Sequence, residues 1–241
     1  MITLITGGNS GIGYATAKVL KDRGDTVIIT GRRKEAVEKA ASELGVIPFV
    51  ADQAKIGDLD RLAAMVAERF GKLDVLFINA GILGRSTIEQ ATEELYDSVM
   101  NINLKGAYFT LSRFIPLLNE GASVVFLSSN TASMSVSGGS IYSSSKAALN
   151  SVMKIAALEL ADRKIRVNSI SPGPTETEVM NKLGYDEETL RGLHQYIIEK
   201  VPLKQMGTAE NVGKMVAHLS SDAAAFITGS DIIMDGGMVL A

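Results

Sequence analysis

The apolar run Ile2-Thr3-Leu4-Ile5 leads directly into the glycine-rich stretch Thr6-Gly7-Gly8-Asn9-Ser10-Gly11-Ile12-Gly13, and a helical pattern follows over residues 11–23. Glycines let a backbone approach a ligand closely, and a helix N-terminus offers unpaired N–H groups and a dipole that favours negative charge. The stretch therefore predicts a strand, a turn that can hold a pyrophosphate, and a helix. Such a turn can also simply close a tight loop, but its position after the first strand favours the ligand site.

The alternation of strand and helix continues along the chain. Short Val/Ile/Leu-rich runs recur with longer helical patterns between them, as expected for parallel strands that are buried on both faces. The sequence predicts an α/β fold: one doubly wound Rossmann-type domain over residues 1–241, with a seven-stranded parallel sheet and helices on both faces. The predicted strands are 2–5, 26–30, 46–50, 73–78, 123–127, 165–170 and 231–234, and the main predicted helices are 11–23, 34–44, 55–70, 93–118, 142–161 and 209–220.

Composition excludes several classes of function. The 241 residues include 24 basic and 27 acidic side chains and no cysteine, which rules out disulfides, thiolate catalysis and cysteine-ligated metals. Two histidines, His194 and His218, argue against a metal site, and the net charge of -3 argues against a nucleic-acid partner. The sequence lacks both a basic leader and an apolar stretch of about eighteen residues, so we expect a cytoplasmic protein with no membrane partner.

The glycine turn has the spacing Gly-x-x-x-Gly-x-Gly and, with Thr6, resembles the TGxxxGxG turn of the short-chain dehydrogenases/reductases. Further matches extend over the chain in the family's order: Asn79-Ala80-Gly81, Asn103, Ser129, Tyr142-x-x-x-Lys146, Pro172-Gly173 and Asp235-Gly236-Gly237. The resemblance implies an oxidoreductase of the carbonyl reductase kind, which moves a hydride between a nicotinamide cofactor and a ketone or secondary alcohol. It also implies a homotetramer, with helices 93–118 and 142–161 at one interface and the C-terminal strand at another.

The choice between NAD and NADP depends on the end of the second strand, where a carboxylate would bind the ribose diol and repel a 2′-phosphate. That position holds Gly31, and Arg32 and Arg33 follow it. A guanidinium matches phosphate geometry, so NADP(H) is favoured. NAD(H) stays possible, because both arginines can be solvated residues at a helix start, and because Ser10 stands where many NADP-preferring relatives carry a basic residue.

The resemblance assigns other cofactor contacts. Asp52 matches the acidic residue that meets the adenine ring, although a post-strand aspartate can equally be a helix cap. The segment Asn79-Ala80-Gly81 matches the one that flanks the adenosine ribose, and it is also a plausible turn. The predicted cofactor-binding residues are Gly7, Asn9, Ser10, Gly11, Ile12, Gly13, Arg32, Arg33, Asp52, Asn79, Ala80, Gly81, Tyr142, Lys146, Pro172, Gly173 and Thr177. Thr175, which departs from the family's branched aliphatic residue, is left open.

The Tyr-x-x-x-Lys pattern occurs three times, at Tyr14/Lys18, Tyr142/Lys146 and Tyr196/Lys200, so its spacing alone cannot identify an active pair. A carbonyl reductase also needs a hydrogen-bond donor for the substrate oxygen, on the turn after a neighbouring strand. Ser129 lies thirteen residues before Tyr142, just beyond the apolar strand 123–127. The same step back from the other two tyrosines reaches Leu183 and Met1. Tyr142 is therefore predicted to be the acid/base and Lys146 the residue that lowers its pKa.

Ser129 is predicted to polarise the substrate carbonyl. By resemblance, Asn103 is the fourth member of the catalytic set and holds a water in a proton relay, although its neighbour Asn101 is equally polar. The polar insert 175–201 is expected beyond the strand ends, where ligands bind. Its large side chains predict a mainly apolar substrate wall or a packing surface: Met180, Leu183, Tyr185, His194, Tyr196 and Ile197.

Three functions stay open at this point. A carbonyl reductase or alcohol dehydrogenase fits the complete Asn-Ser-Tyr-Lys set best. A ketoreductase acting on 3-oxoacyl groups bound to an acyl carrier would use a basic patch, for which Lys182, Arg191 and Lys200 are candidates among several acidic neighbours. A protein that senses NADP(H) without catalysis would not need the catalytic set.

Overall fold

The computed structural model describes residues 1–176 and 186–241 of the chain. Seven parallel strands form one sheet: β1 Ile2–Ile5, β2 Thr26–Gly31, β3 Ile47–Val50, β4 Leu73–Ile78, β5 Leu118–Leu127, β6 Arg166–Pro172 and, after two short strands outside this sheet, β9 Asp231–Met234. Their order across the sheet is β3-β2-β1-β4-β5-β6-β9, so the chain starts in the middle and winds outward to both edges. This is the predicted Rossmann-type sheet.

Helices cover both faces of the sheet because its five inner strands present buried apolar side chains to both sides. The helices are α1 Gly11–Asp22, α2 Lys34–Leu44, α3 Ile56–Phe70, α4 Glu93–Met100, α5 Ala107–Phe114, α6 Ser140–Glu159, α7 Glu187–Lys200 and α8 Ala209–Leu219. One core joins the sheet to α3, α5 and α6, and the other joins it to α1, α2 and α8. Within the described ranges, no helix combines the length and the apolar character needed to cross a bilayer.

The predicted helix 93–118 is wrong as one continuous element. It consists of α4, a π-helical turn at Asn101–Gly106, α5, and a 3₁₀ turn at Ile115–Leu117 that contains Pro116. Strand β5 then begins at Leu118, five residues before the predicted start, because Leu118 pairs with Leu73 across a register shift. Polar residues and Gly121, at φ +77°, follow Leu118. This part of the strand therefore lacks the continuous apolar run by which the other strands were predicted.

The predicted insert contains a helix and part of a small second sheet. Strand β7, Thr175–Glu176, pairs in parallel with β8, Gly207–Thr208. Two-residue strands leave no periodic signal in a sequence, so this pairing was not predicted. Helix α7 begins where the side chain of Asp186 accepts a hydrogen bond from the Thr189 backbone N–H. The small sheet and α7 border the edge where the strands of the main sheet end.

Candidate active site

The glycine turn folds back against the end of β4. Gly7 has φ +67°, a conformation that favours glycine, and a Cβ there would lie 2.9 Å from the Ala80 Cα. A Cβ on Gly13 would collide with the Gly7 carbonyl oxygen and lie 2.6 Å from Asn79 Nδ2. Glycine is thus required for the turn itself, and the first turn of α1 lies directly beside it. This arrangement fits a pyrophosphate at the helix N-terminus.

A hydrogen-bond network ties this turn to β4. Thr6 Oγ1 accepts from the backbone N–H groups of Asn79 and Ala80, both at 3.0 Å. The Asn79 amide donates to the carbonyl oxygens of Thr6 and Gly7, at 2.8 and 3.0 Å. The threonine and asparagine that the sequence marked therefore have a structural role, because they hold the glycine turn and Asn79-Ala80-Gly81 together.

The end of β2 leaves little space for a side chain. A Cβ on Gly31 would lie 2.5 Å from Asn9 Oδ1 and 2.8 Å from Val37 Cγ2. A carboxylate at this position, which would bind a ribose diol, would therefore require both neighbours to move. Arg32 and Arg33 follow with exposed side chains and line the same cleft as Asn9 and Ser10.

Asp52 and Gln53 lie beyond the end of β3. Asp52 is half-buried, and its Oδ1 accepts a hydrogen bond from the Ala54 backbone N–H at 3.1 Å. One of its two carboxylate oxygens is therefore used in a local turn. The buried Gln53 amide donates to the carbonyl oxygens of Ala80 and Ile102, both at 3.0 Å. Gln53 was missed by sequence reasoning. A polar residue next to Asp52 after a buried strand is the signal that could have identified it.

Ser129, Tyr142 and Lys146 meet at the carboxyl end of β5. Ser129 is buried, and it lines the same cleft as the Tyr142 phenol. Lys146, one turn along α6, is 3% exposed and places its Nζ 5.8 Å from the centre of the Tyr142 ring. Its ammonium donates to the Leu127 carbonyl oxygen at 2.7 Å. These contacts bring together a hydroxyl donor, a phenol and a buried cation.

The other two tyrosine-lysine pairs lie in different surroundings. Tyr14 hydrogen-bonds Glu43 at 3.1 Å, and Lys18 pairs with Asp22 at 2.8 Å on the surface. In α7, Lys200 lies 5.6 Å from the centre of the Tyr196 ring, almost the same distance as in the Tyr142 pair, but that tyrosine is 59% exposed. Burial and the contact with Ser129, not spacing, distinguish the Tyr142 pair.

The pKa values of the pair are shifted in opposite directions. Burial lowers the pKa of Lys146 from 10.5 to about 8, because a low-dielectric environment disfavours the ammonium. Burial raises the pKa of Tyr142 above 10.0, while the hydrogen bond with Ser129 opposes that rise. The sequence predicted a lowered pKa for Tyr142. In the protein without nucleotide the pKa is instead raised, because desolvation of the phenol has a larger effect than the hydrogen bond from Ser129.

Asn103 lies in the π-helical turn and is one of its two buried residues. It is 1% exposed, and its Oδ1 accepts from the Ile82 backbone N–H at 2.8 Å. Its Nδ2 donates to the Ile82 carbonyl oxygen at 2.9 Å and to Ser145 Oγ at 3.2 Å. Ser145 donates in turn to the Tyr142 carbonyl oxygen at 2.7 Å. Asn103 thus joins the loop after β4 to the helix that carries the tyrosine, whereas Asn101 is half-buried in the same turn.

The Pro172-Gly173 turn is held by the C-terminal segment. A Cβ on Gly173 would lie 2.5 Å from the Asp235 Cβ, so these two segments of the chain are in close contact. Asp235 in turn accepts from the backbone N–H groups of Gly237 and Val239, at 2.9 and 2.8 Å. The Thr175 hydroxyl donates to the Gly173 carbonyl oxygen at 3.0 Å, so it braces this turn. The predicted Thr177 lies outside the described residues.

One cleft of about 960 Å³ connects these groups. Its lining includes every described cofactor-binding residue predicted from the sequence except Gly13, together with Ser129; Asn103 lies behind it. Part of this lining is apolar, and the side chains of His194 and Tyr196 do not belong to it, while Met180, Leu183 and Tyr185 lie outside the described residues. The apolar lining residues beyond the nucleotide end are Ile82, Leu83, Met134, Val136, Leu193, Ile197, Met206 and Met238.

Comparisons with known proteins agree with this geometry. A family model described as enoyl-(acyl carrier protein) reductase matches residues 7–239. The 3-oxoacyl-[acyl-carrier-protein] reductase FabG of Thermotoga maritima is 33% identical over 246 residues, covering 99% of this chain and 98% of the relative. A versicolorin reductase of Emericella nidulans is 33% identical over 251 residues, covering 98% and 94%.

Solved structures show the same likeness. A short-chain dehydrogenase/reductase from Brucella melitensis, of the glucose/ribitol dehydrogenase type, has a TM-score of 0.92 at 30% identity and covers 98% of this chain and 96% of its own. A short-chain dehydrogenase/reductase from Serratia marcescens has a TM-score of 0.90 at 26% identity, covering 99% and 97%. With its glycine turn, its parallel sheet and its cleft, this chain belongs to the short-chain dehydrogenase/reductase family, whose members are NAD(P)(H)-dependent oxidoreductases.

Proposed function

We propose that this enzyme catalyses hydride transfer between NADP(H) and a ketone or secondary alcohol, with Tyr142 as the general acid/base. The observation that carries the proposal is that the buried Ser129 and Lys146 line one cleft with Tyr142, and that this cleft also contains the glycine turn. A buried serine and a buried lysine beside one phenol are suited to proton transfer, because such groups have shifted pKa values and lie within reach of a substrate in the cleft. A protein that only sensed the nucleotide would have no use for this arrangement.

The roles of the residues follow from their contacts. A bound nicotinamide nucleotide supplies the hydride. Ser129 donates a hydrogen bond to the carbonyl oxygen of the substrate, which favours the negative charge that develops there. Tyr142 delivers a proton to the same oxygen in reduction and removes it in oxidation. Asn103, with Ser145, holds α6 in place behind the tyrosine.

Lys146 supports the deprotonated form of Tyr142. Burial raises the pKa of the phenol, so the site needs groups that favour the phenolate near neutral pH. The ammonium of Lys146 has that effect through its positive charge, and the Ser129 hydroxyl has it through hydrogen bonding. Leu127 fixes the position of the ammonium by accepting its hydrogen bond.

A preference for NADP(H) over NAD(H) is supported by the end of β2. Gly31 provides no carboxylate that would repel a 2′-phosphate, and a side chain there would displace Asn9 and Val37. Arg32 and Arg33 offer exposed guanidinium groups at the same end of the cleft. Guanidinium groups bind phosphate through paired N–H donors.

A second candidate is reduction of 3-oxoacyl groups carried by an acyl carrier, and the similarity to the Thermotoga maritima reductase favours it. Helix α7 lines the cleft with Leu193 and Ile197 and exposes Arg191 and Lys200, which could contact an acidic carrier. Glu199 lies next to Lys200 and weakens the basic character of this surface. Lys182, the third basic candidate, lies outside the described residues.

We also propose a homotetramer. Helices α4, α5 and α6 expose large apolar side chains that a monomer would leave in water. Tyr96 and Tyr108 are 49% and 50% exposed, and Ile155 and Leu158 on α6 are 54% and 80% exposed. A second copy packed against these helices would bury them, and a second contact at the C-terminal strand β9, where Ile233 is 40% exposed, would complete the tetramer.

The function is tested by steady-state assays of NADPH and NADH oxidation with simple ketones, diketones and an acyl-carrier surrogate. Wild type should turn over at least one class of carbonyl, and Tyr142→Phe should lower kcat by about 10²- to 10⁴-fold while nucleotide binding is kept. Tyr196→Phe is the matched control, since Tyr196 has the same spacing to a lysine. Turnover that survives in Tyr142→Phe, or tight nucleotide binding with no turnover on any carbonyl, would contradict the proposal.

A further inference from the structure

Thr131 contacts the proposed carbonyl-polarising residue twice. Its backbone N–H donates to Ser129 Oγ at 3.2 Å, and its hydroxyl donates to the same oxygen at 3.0 Å. Thr131 lies in the 3₁₀ turn Asn130–Ala132 that follows β5, and its half-buried side chain lines the cleft. No feature of the sequence had marked this residue.

These two contacts restrict the direction of the Ser129 proton. A serine hydroxyl has two lone pairs and one proton. When Thr131 donates to both lone pairs, the remaining proton points away from Thr131. Tyr142 lines the same cleft, and hydrogen bonding from Ser129 lowers the pKa of its phenol against the rise caused by burial.

We propose that Thr131 is a positioning residue that keeps the single proton of Ser129 directed away from Thr131, so that it is available either to the Tyr142 oxygen or to the substrate carbonyl oxygen. This inference rests on the proposed function for the role of Ser129 in turnover. Thr131 exchanges no proton with the substrate and acts through Ser129 alone.

Loss of the Thr131 hydroxyl would free one lone pair of Ser129. The Tyr142 hydroxyl could then donate to Ser129, which reverses the hydrogen bond between them. A bond in that direction stabilises the neutral phenol, whereas donation from Ser129 stabilises the phenolate. It also turns the serine proton away from the position of the carbonyl oxygen. Both effects slow proton transfer, and neither requires a change in the fold.

The alternative is that Thr131 only stabilises the turn after β5. Hydroxyl groups of serine and threonine often hydrogen-bond nearby backbone or side-chain groups in such turns. A purely structural role predicts lower stability and an unchanged pH dependence of turnover. The two roles therefore differ in a property that can be measured.

The test compares Thr131→Val, which keeps the shape and removes the hydroxyl, with Thr131→Ser, which keeps the hydroxyl. The pH profile of kcat for alcohol oxidation is measured together with KM and nucleotide affinity. In Thr131→Val we expect kcat to fall about ten-fold, and the apparent pKa of the acidic limb to rise by about one pH unit. KM for the nucleotide should stay unchanged, and Thr131→Ser should behave like wild type. An unshifted profile in Thr131→Val, or equal defects in both variants, would overturn the inference.

A second measurement does not depend on turnover. Tyrosinate absorbance is titrated with saturating oxidised nucleotide in wild type and Thr131→Val, and the corresponding curve of Tyr142→Phe identifies the Tyr142 contribution. The Tyr142 transition should lie at higher pH in Thr131→Val, and an equal transition would refute the inference. Thr131→Ala replaces the valine variant if the latter does not fold. If wild type reduces no carbonyl, the proposed function fails, while this titration still decides the role of Thr131.

Discussion

Lys146 Nζ donates a 2.7 Å hydrogen bond to the carbonyl oxygen of Leu127, the last residue of β5, and this bond holds a buried ammonium at the end of the central sheet. A carbonyl oxygen compensates only part of the hydration that the ammonium loses on folding. The lysine is therefore positioned for function at a cost in stability, and the cost depends on pH.

Stability should rise with pH between about 8 and 10 because of Lys146. Its pKa is about 8 in the folded protein and 10.5 as the ordinary value, so the unfolded chain binds more protons in this window. Lys146→Met removes the effect. The free energy of unfolding of Lys146→Met should exceed that of wild type more at pH 7.5 than at pH 9.5, as measured by urea denaturation. Lys200→Met, at an exposed lysine, is the control, and a pH-independent difference for Lys146→Met would contradict the prediction.

Arg32→Asp should weaken NADPH binding by at least about ten-fold and change NADH binding much less, because it replaces a phosphate-binding charge by a repulsive one. Fluorescence titration of both nucleotides measures the two dissociation constants. Lys34→Asp makes the same change of charge two residues away, outside the cleft lining, and should leave the NADPH-to-NADH ratio near that of wild type. Equal effects of Arg32→Asp on both nucleotides would remove the support for NADP(H).

Gly13→Ala should lower the free energy of unfolding by about 1–3 kcal/mol, because the added methyl group meets the Gly7 carbonyl oxygen and Asn79 Nδ2. Nucleotide affinity should fall as well, since the turn must move. Gly57→Ala is the matched control: Gly57 also lies in the first turn of a helix, but a Cβ there meets nothing within 4 Å. Its effect should stay within about 0.5 kcal/mol in the same denaturation assay.

Asn103→Asp should destabilise the protein by about 2–3 kcal/mol. The variant loses the two Nδ2 donations and places a carboxylate oxygen against the Ile82 carbonyl oxygen. Asn101→Asp, two residues earlier in the same π-helical turn, should change stability by less than about 0.5 kcal/mol. Thermal or chemical unfolding of the two variants distinguishes them, and similar losses in both would show that the turn, not the Asn103 contacts, is sensitive to charge.

Leu158→Lys should reduce the oligomer to a smaller species without unfolding the subunit, because the side chain is 80% exposed in the monomer. Light scattering coupled to size exclusion measures the mass, and circular dichroism checks the fold. A wild-type protein that is monomeric at micromolar concentration would contradict the proposed tetramer.

The sequence predicted the fold class and most of the cleft for a physical reason. Buried parallel strands produce apolar runs, and close backbone contacts such as Gly13 against Gly7 require glycine, so both features are visible residue by residue. The π-helical turn, the early start of β5 and the role of Thr131 were not visible. They depend on register and hydrogen-bond direction, which arise only when separate segments meet. The raised pKa of Tyr142 was missed for the same reason, since burial is a property of the whole fold.

The wide turn at Asn101–Gly106 also changes how the two halves of its helix are oriented. Each π-type turn contains more residues than an α-helical turn, so α5 is rotated about the helix axis relative to a continuation of α4. Helix α4 can therefore face α6 while α5 faces α3. Removing one residue from this segment would restore a regular helix, but it would rotate one of these two faces out of contact and carry Asn103 away from Ile82. The irregular turn thus sets the rotation between the two packing surfaces of this helix. A change of its length should therefore lower the stability of the fold far more than the same change in an exposed loop.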